Sequence, residues 1–138
     1  MGTIRNEAGL ISLDGATAFE AVRDVAGEDL RAFVEYDSES FNPVFIAERV
    51  VDELGGADGV EEFADQLHFN YKLDFTEREM YADLYGPLGG VDAFAVYLDD
   101  QTIVRYVTDE EGIYVSLDGD ADTDRVVDSL ADTVEDEE

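Results

Sequence analysis

The sequence contains no cysteine, which excludes disulfide frameworks, thiolate metal clusters, cysteine nucleophiles and thiol redox chemistry. It has one histidine, His68, and a lone histidine cannot supply a multi-histidine zinc or iron site. Cations are scarce as well: seven Arg and one lysine, Lys72, stand against 36 Asp and Glu, a net charge of −28 over 138 residues. No apolar run approaches the ~18–20 residues that a membrane span needs, and the N-terminal MGTIRNEAGL lacks both a basic n-region and an apolar h-region. The expectation is a soluble, cytoplasmic protein. The five serines (Ser12, Ser38, Ser40, Ser116, Ser129) lie in no Gly-x-Ser-x-Gly elbow, and there is no Walker loop. Gly86, Gly89 and Gly90 precede a strand, whereas a phosphate-binding loop follows a strand and opens a helix, so they read as turn formers.

What the chain has is enough apolar material for one core. Its 45% hydrophobic content and 15 aromatics (7 Tyr, 8 Phe) fit a single domain spanning residues 1–138 and rule out a wholly disordered acidic tail. Acidic residues run from Glu7 to Glu138, which describes a solvated surface more than one charged segment. Such a surface repels itself at ordinary ionic strength, while at molar salt the Debye length shrinks to about 3 Å and the repulsion is screened. The composition resembles that of extremely halophilic archaea, in which Lys is scarce and Asp and Glu coat the surface. The same charge disfavours nucleic acid and anionic membranes as partners.

The hydrophobic periods give an order of elements. Thr17 and Glu20 have the spacing of a capping box, and Phe19, Val22, Val25 and Ala26 share a stripe, which predicts a helix from about Ala18 to Ala26. Leu30 to Tyr36, a turn at residues 37–40, and Phe41 to Ile46 predict a hairpin whose second strand lies at an edge or starts at Val44, because Pro43 cannot donate to a ladder. The middle is helical, broken at Gly55-Gly56 and again before Thr76, where Glu79 completes a capping box and Phe75 and Met80 sit at staple positions. Val91 to Leu98, apolar on both faces, predicts a strand in mid-sheet, followed by Thr102 to Val107 and Ile113 to Leu117 in a meander. A last helix starts from a cap at Asp122 or Thr123 and carries Val126, Val127, Leu130, Ala131 and Val134 on one face. Residues 1–14 are left as an arm or short strand, and residues 135–138 as a frayed acidic tail. The fold class is α+β, a five-stranded antiparallel sheet (hairpin plus three-stranded meander) with helices packed on it, in the order α-β-β-α-β-β-β-α.

That order resembles the profilin-like and roadblock/longin-like folds from Thr17 to Val134, and the resemblance implies a small dimerising or docking module. The stretch MYADLYGPLGGVDAFAVYLDDQTIVRYVTDEEGIYVSLDGD is similar to small haloarchaeal proteins of unknown function. The chain departs from the simple roadblock pattern in its middle, where Gly55-Gly56 and Lys72 to Phe75 split one long helix into pieces.

Few side-chain groupings suggest chemistry. The carboxylates of Asp118, Asp120, Asp122 and Asp124 alternate as at the start of a calcium loop, but position six is Thr123 in place of Gly and position twelve is Ser129 in place of Glu, so a solvated strand-to-helix loop is the better reading. His68 and Lys72 fall on one side of a helix with no third partner to make a catalytic group of them. No catalytic, metal-binding or cofactor-binding residue is predicted, and no cofactor. The segment from His68 to Leu88 holds five of the 15 aromatics, the internal Met and two of the eight cations. Since Tyr and Arg are favoured at interfaces, Phe69, Tyr71, Arg78, Met80, Tyr81, Leu84 and Tyr85 are interface candidates. They compete with the plainer reading that these aromatics cover the sheet. The sequence therefore predicts a non-enzymatic module that pairs with itself as a homodimer or docks to a protein partner. The alternative is a small-molecule sensor with a pocket between the sheet and residues 69–88, lined by Tyr71, Met80 and Tyr97.

Overall fold

The computed structural model describes residues 3–71, 73–108 and 110–136. In chain order the elements are β1 (Ile4–Arg5), α1 (Gly15–Ala26), β2 (Leu30–Asp37), β3 (Phe41–Ile46), α2 (Glu48–Glu53), α3 (Ala57–Tyr71), α4 (Asp74–Leu84), β4 (Ala93–Tyr97), β5 (Gln101–Val107), β6 (Glu111–Asp118) and α5 (Thr123–Asp136). The sheet has six strands in the order β1-β3-β2-β6-β5-β4, all paired antiparallel. The hairpin and the meander form as expected, and the strand count rises from five to six because Ile4 and Arg5 pair with Ile46 and Phe45.

Alternation along the strands assigns the two faces. Phe33 of β2, Val104 and Tyr106 of β5, and Ile113, Val115 and Leu117 of β6 point to one face, where Phe19 and Val22 of α1 and Val126 and Leu130 of α5 close over them. Each of these side chains is buried, worth roughly 1.5–3 kcal/mol relative to exposure. The opposite face carries Ala32, Tyr36, Ile103 and Tyr114 and is covered by α2 and α3 through Val50, Val51 and Val60. This second face is chemically mixed, since Arg31, Arg105 and Ser116 come from the same strands. The layers are thus helix, sheet, helix, with one dry face and one polar one.

Several local expectations are corrected. Helix α1 begins at Gly15 and not Ala18, because Asp14 is its cap: its carboxylate accepts from Thr17 N (3.0 Å) and from Thr17 Oγ1 (2.6 Å). Helix α4 begins at Asp74, two residues before Thr76, and no side chain caps it, so the capping box and staple do not form. Its first turn is placed instead by the buried Asp74. Strand β3 runs through Pro43, which lies beyond the two pairs to β1 and next to a register shift between Phe33 and Val34, where a missing N–H costs little. Helix α5 is capped by Asp122, which accepts from Arg125 N (3.2 Å), and runs through Asp136; of the expected frayed tail, residues 137–138 lie outside the described residues. Gly55 and Gly56 make the turn between α2 and α3 with φ of 90° and 100°, backbone that a side chain resists.

The largest correction concerns β4. Its unbroken apolar run reads as a buried central strand, yet β4 pairs with β5 alone and ends the sheet. The central place belongs to β6, buried from Gly112 to Leu117 between β2 and β5. A strand apolar on both faces can signal cover on both sides or an open edge, and only the pairing distinguishes the two.

Candidate functional site

A polar hub holds α4 to the mixed face of the sheet. Asp74 accepts from Tyr36 Oη (2.7 Å) and from Arg105 Nη1 (2.7 Å), and both the carboxylate and Arg105 are largely withdrawn from solvent. The Arg105 guanidinium lies 4.7 Å from the ring centre of Tyr71 and 5.3 Å from that of Phe94, within cation–π range of both. Tyr71 in turn packs against Tyr36 (6.1 Å) and Tyr114 (5.6 Å). Burial pushes the Asp74 carboxyl above its ordinary value, while the Tyr36 hydroxyl and the Arg105 charge pull it back. Burial also raises the phenols of Tyr36, Tyr71 and Tyr114, so the hydroxyl that Tyr36 offers to Asp74 stays protonated.

Beside the hub lies a cavity of about 340 Å³ between the sheet and helices α2 and α3. Val60, Ala64, Leu67 and Tyr71 of α3 face Ala32, Ile103 and Tyr114 of the sheet across it. Arg31 and Arg105 also line it, and the buried Nε of each has no hydrogen-bond partner among the described residues. It is not the pocket expected between the sheet and residues 69–88: of Tyr71, Met80 and Tyr97, Tyr71 alone contributes to its wall. The cavity sits under α2 and α3, not under residues 69–88 as a whole.

The predicted interface residues are divided by the structure. Tyr71 is drawn into the hub, and Arg78 donates from Nε to the Val91 carbonyl (2.9 Å), tying α4 to the segment before β4. Tyr81 is half-buried between Phe94 (5.9 Å) and the stacked ring of Tyr85 (6.2 Å). Met80 and Leu84 stay exposed on α4 and Tyr85 directly after it, and Phe69, 70% exposed, lies on α3 beside Asp65 and Gln66. Sequence reasoning missed Phe63, Leu88, Val96 and Leu98, all exposed, and Tyr97, expected to line a pocket, is exposed as well. Phe63, Val96 and Leu98 also line the cavity, at its exposed rim. It also missed Asp74, Arg105 and the fully buried Glu35, although an ionisable residue inside an apolar run such as TIVRYV or FVEY is a signal that can be read.

The other sequence candidates find structural roles. Asp118 is held by Arg49 (2.8 Å) and Arg31 (3.5 Å), and Asp122 caps α5, so both are engaged away from any ion. Although burial raises it, the hydrogen bond and charge of Arg49, joined by Arg31, hold the Asp118 carboxyl below its ordinary value. Among the described residues no group of three His, Asp or Glu is placed to hold a metal ion. His68 donates from Nε2 to the Asp37 carbonyl (2.7 Å) and packs on Phe41, while its expected companion Lys72 lies outside the described residues. No described helix is long and apolar enough to cross a membrane.

Solved structures share this fold at low identity. A roadblock/LC7 domain from Streptomyces avermitilis superposes with a TM-score of 0.55 at 15% identity, covering 91% of this chain and 94% of that one. MglB of Myxococcus xanthus gives 0.57 at 9%, with 83% of each chain covered, and an MglB solved in a tetrameric arrangement gives 0.55 at 13%, covering 96% and 98%. The architecture is therefore of the roadblock/LC7 type, as the order of elements implied. No curated protein matches the sequence. A family profile described as a domain of unknown function, DUF7522, matches residues 16–137, and the chain belongs to that family.

Proposed function

We propose that this chain is a non-enzymatic interaction module that acts by self-association, as a homodimer, or by docking to a protein partner. The observation that carries the reading is the open edge of β4 with the apolar surface around it. Val96 is 42%, Tyr97 69% and Leu98 51% exposed, and Met80 and Leu84 lie exposed on neighbouring α4, with Tyr85 directly after it. An edge strand presents unpaired N–H and C=O groups to any strand that can lie beside it, and natural proteins usually blunt such edges with charge. Here Ala93–Tyr97 carries no charge, in a chain of net charge −28. Two β4 strands related by a two-fold axis would pair antiparallel and extend the sheet, each copy offering the same patch to the other.

Salt fits this mode of contact. In the cytoplasm of a halophile, charge steering is screened within about 3 Å, while excluded salts strengthen apolar burial. Main-chain pairing and apolar side chains would then carry the contact. The solution of one MglB in a tetrameric arrangement lends support, since it is an assembly built on the same fold.

The test is native mass by size-exclusion chromatography with light scattering in several molar KCl, over a range of protein concentrations. A dimer that persists on dilution, and that becomes a folded monomer in Val96→Asp, is expected. Val96 is exposed, so the substitution places a charge on the edge without entering the core. A wild-type monomer at every concentration removes self-association and leaves only the docking arm of the proposal. A dimer unchanged by Val96→Asp and by Leu84→Asp places the contact elsewhere.

A further inference from the structure

We infer that the 340 Å³ cavity between the sheet and α3 is a binding site for a small, mainly apolar molecule bearing a carbonyl or carboxylate acceptor, such as an aromatic or medium-chain carboxylic acid. This goes beyond the interaction reading and does not depend on it.

The size is the first argument. Protein interiors close-pack and leave few voids larger than a water molecule, whose share of liquid volume is about 30 Å³. A space some ten times larger matches ligand clefts, which start at about 300 Å³. The opposite face of the same sheet shows that this chain can pack densely, with Val22, Val115, Leu117 and Leu130 wholly buried.

Chemistry of the walls is the second. Ile46, Val60, Leu67 and Ile103 make most of the surface apolar, which calls for a hydrocarbon or aromatic body. The polar lining is mixed: Arg31 and Arg105 bring donors, Glu53 a carboxylate, and Gln101 and Ser116 groups of both kinds. Arg31 binds Glu53 (2.5 Å) and Asp118 (3.5 Å) through its terminal nitrogens, and Arg105 binds Asp74 through one of its own. These bonds fix both guanidinium groups, in side chains that line the cavity, and the buried Nε–H of each has no acceptor among the described residues. A guanidinium at the wall accommodates a carboxylate, to which its geometry is suited. Phe63, Val96 and Leu98 at the rim leave a way in beside β4.

The experiment uses the full chain in molar KCl with 4-phenylbutyrate as the probe. Methyl NMR is expected to show saturable shifts at Val60, Leu67 and Ile103, with Val22 and Leu130 on the far side of the sheet unmoved. The amine of the same body, 4-phenylbutylamine, is expected to bind at least tenfold more weakly, and Ala64→Trp, which fills the cavity from α3, to weaken the acid at least tenfold. Shifts absent from the cavity methyls, or confined to the exposed Leu84 and Leu88, overturn the site. Equal binding of acid and amine overturns the acceptor. Cavity methyls that respond to protein concentration and not to the acid assign the space to a second copy and also overturn it. The mapping on the wild-type chain decides the matter even if Ala64→Trp fails to fold.

Discussion

Replacing Asp74 by Ala should be the most damaging single change on the mixed face of the sheet. The carboxylate is 1% exposed and is the one buried residue of α4, so the helix is anchored through a polar contact where an apolar stripe would be usual. Removing it leaves the Arg105 guanidinium without its counter-charge and the Tyr36 hydroxyl without its acceptor, both within the core. Breaking one side of a buried pair costs about 3–5 kcal/mol. Because Arg105 keeps 14% side-chain exposure and some access to water, the low end applies, about 3 kcal/mol. For a chain of this size that is a fall in Tm of about 10 °C. Tyr36→Phe deletes only the hydroxyl bond and should cost about 1.5 kcal/mol. The two changes share a contact, so the double variant should fall short of their sum by about 1 kcal/mol. Denaturant unfolding by circular dichroism in molar KCl measures all three. A buried pair is poorly screened, so the penalty should change little between 1 M and 4 M KCl. Should Asp74→Ala lose less than about 1 kcal/mol, or its penalty vanish at high salt, the hub does not hold α4 and the reasoning fails.

Other expectations follow from single contacts. A Cβ on Gly112 would stand 2.6 Å from Tyr36 Oη and against its ring, so Gly112→Ala should displace Tyr36 and cost about 1–3 kcal/mol, read as a lower Tm and an altered near-UV spectrum. Glu35 accepts from Gly9 N (3.0 Å), Leu10 N (3.1 Å) and Asn42 Nδ2 (2.8 Å), which pins the arm before α1 to the sheet; Glu35→Ala should expose residues 6–13 to limited proteolysis while the rest of the chain stays protected. The Asp118 carboxyl is held below its ordinary 3.8, so the stability it contributes is present above that value and lost as pH falls through the lower folded value. The stability gap between wild type and Asp118→Asn should therefore be constant above about pH 5 and close below pH 4, and a gap that widens on acidification would contradict the pairing with Arg49 and Arg31.

Much of the fold could be read along the chain because it depends on local rules. Alternation in Ile113 to Leu117, the helical stripe from Val126 to Ala131 and the turn residues at 37–40 each state their element within a few positions. The surface charge is likewise a property of composition alone. The order of elements then implied a roadblock-type layout, which the solved structures share.

What the sequence could not decide is who lies beside whom. An apolar run such as AFAVY satisfies a central strand and an open edge equally, and the edge emerges only when β6 takes the centre between β2 and β5. The same holds for Asp74, which stands 38 residues from Tyr36 and 31 from Arg105 and meets them because α4 returns over the sheet. The cavity is likewise a tertiary fact, since its walls belong to five strands and two helices and no periodicity records that they fail to touch. Local propensities are set by neighbours a few residues away. Pairing order, helix placement and leftover space are set by how whole faces compete for burial.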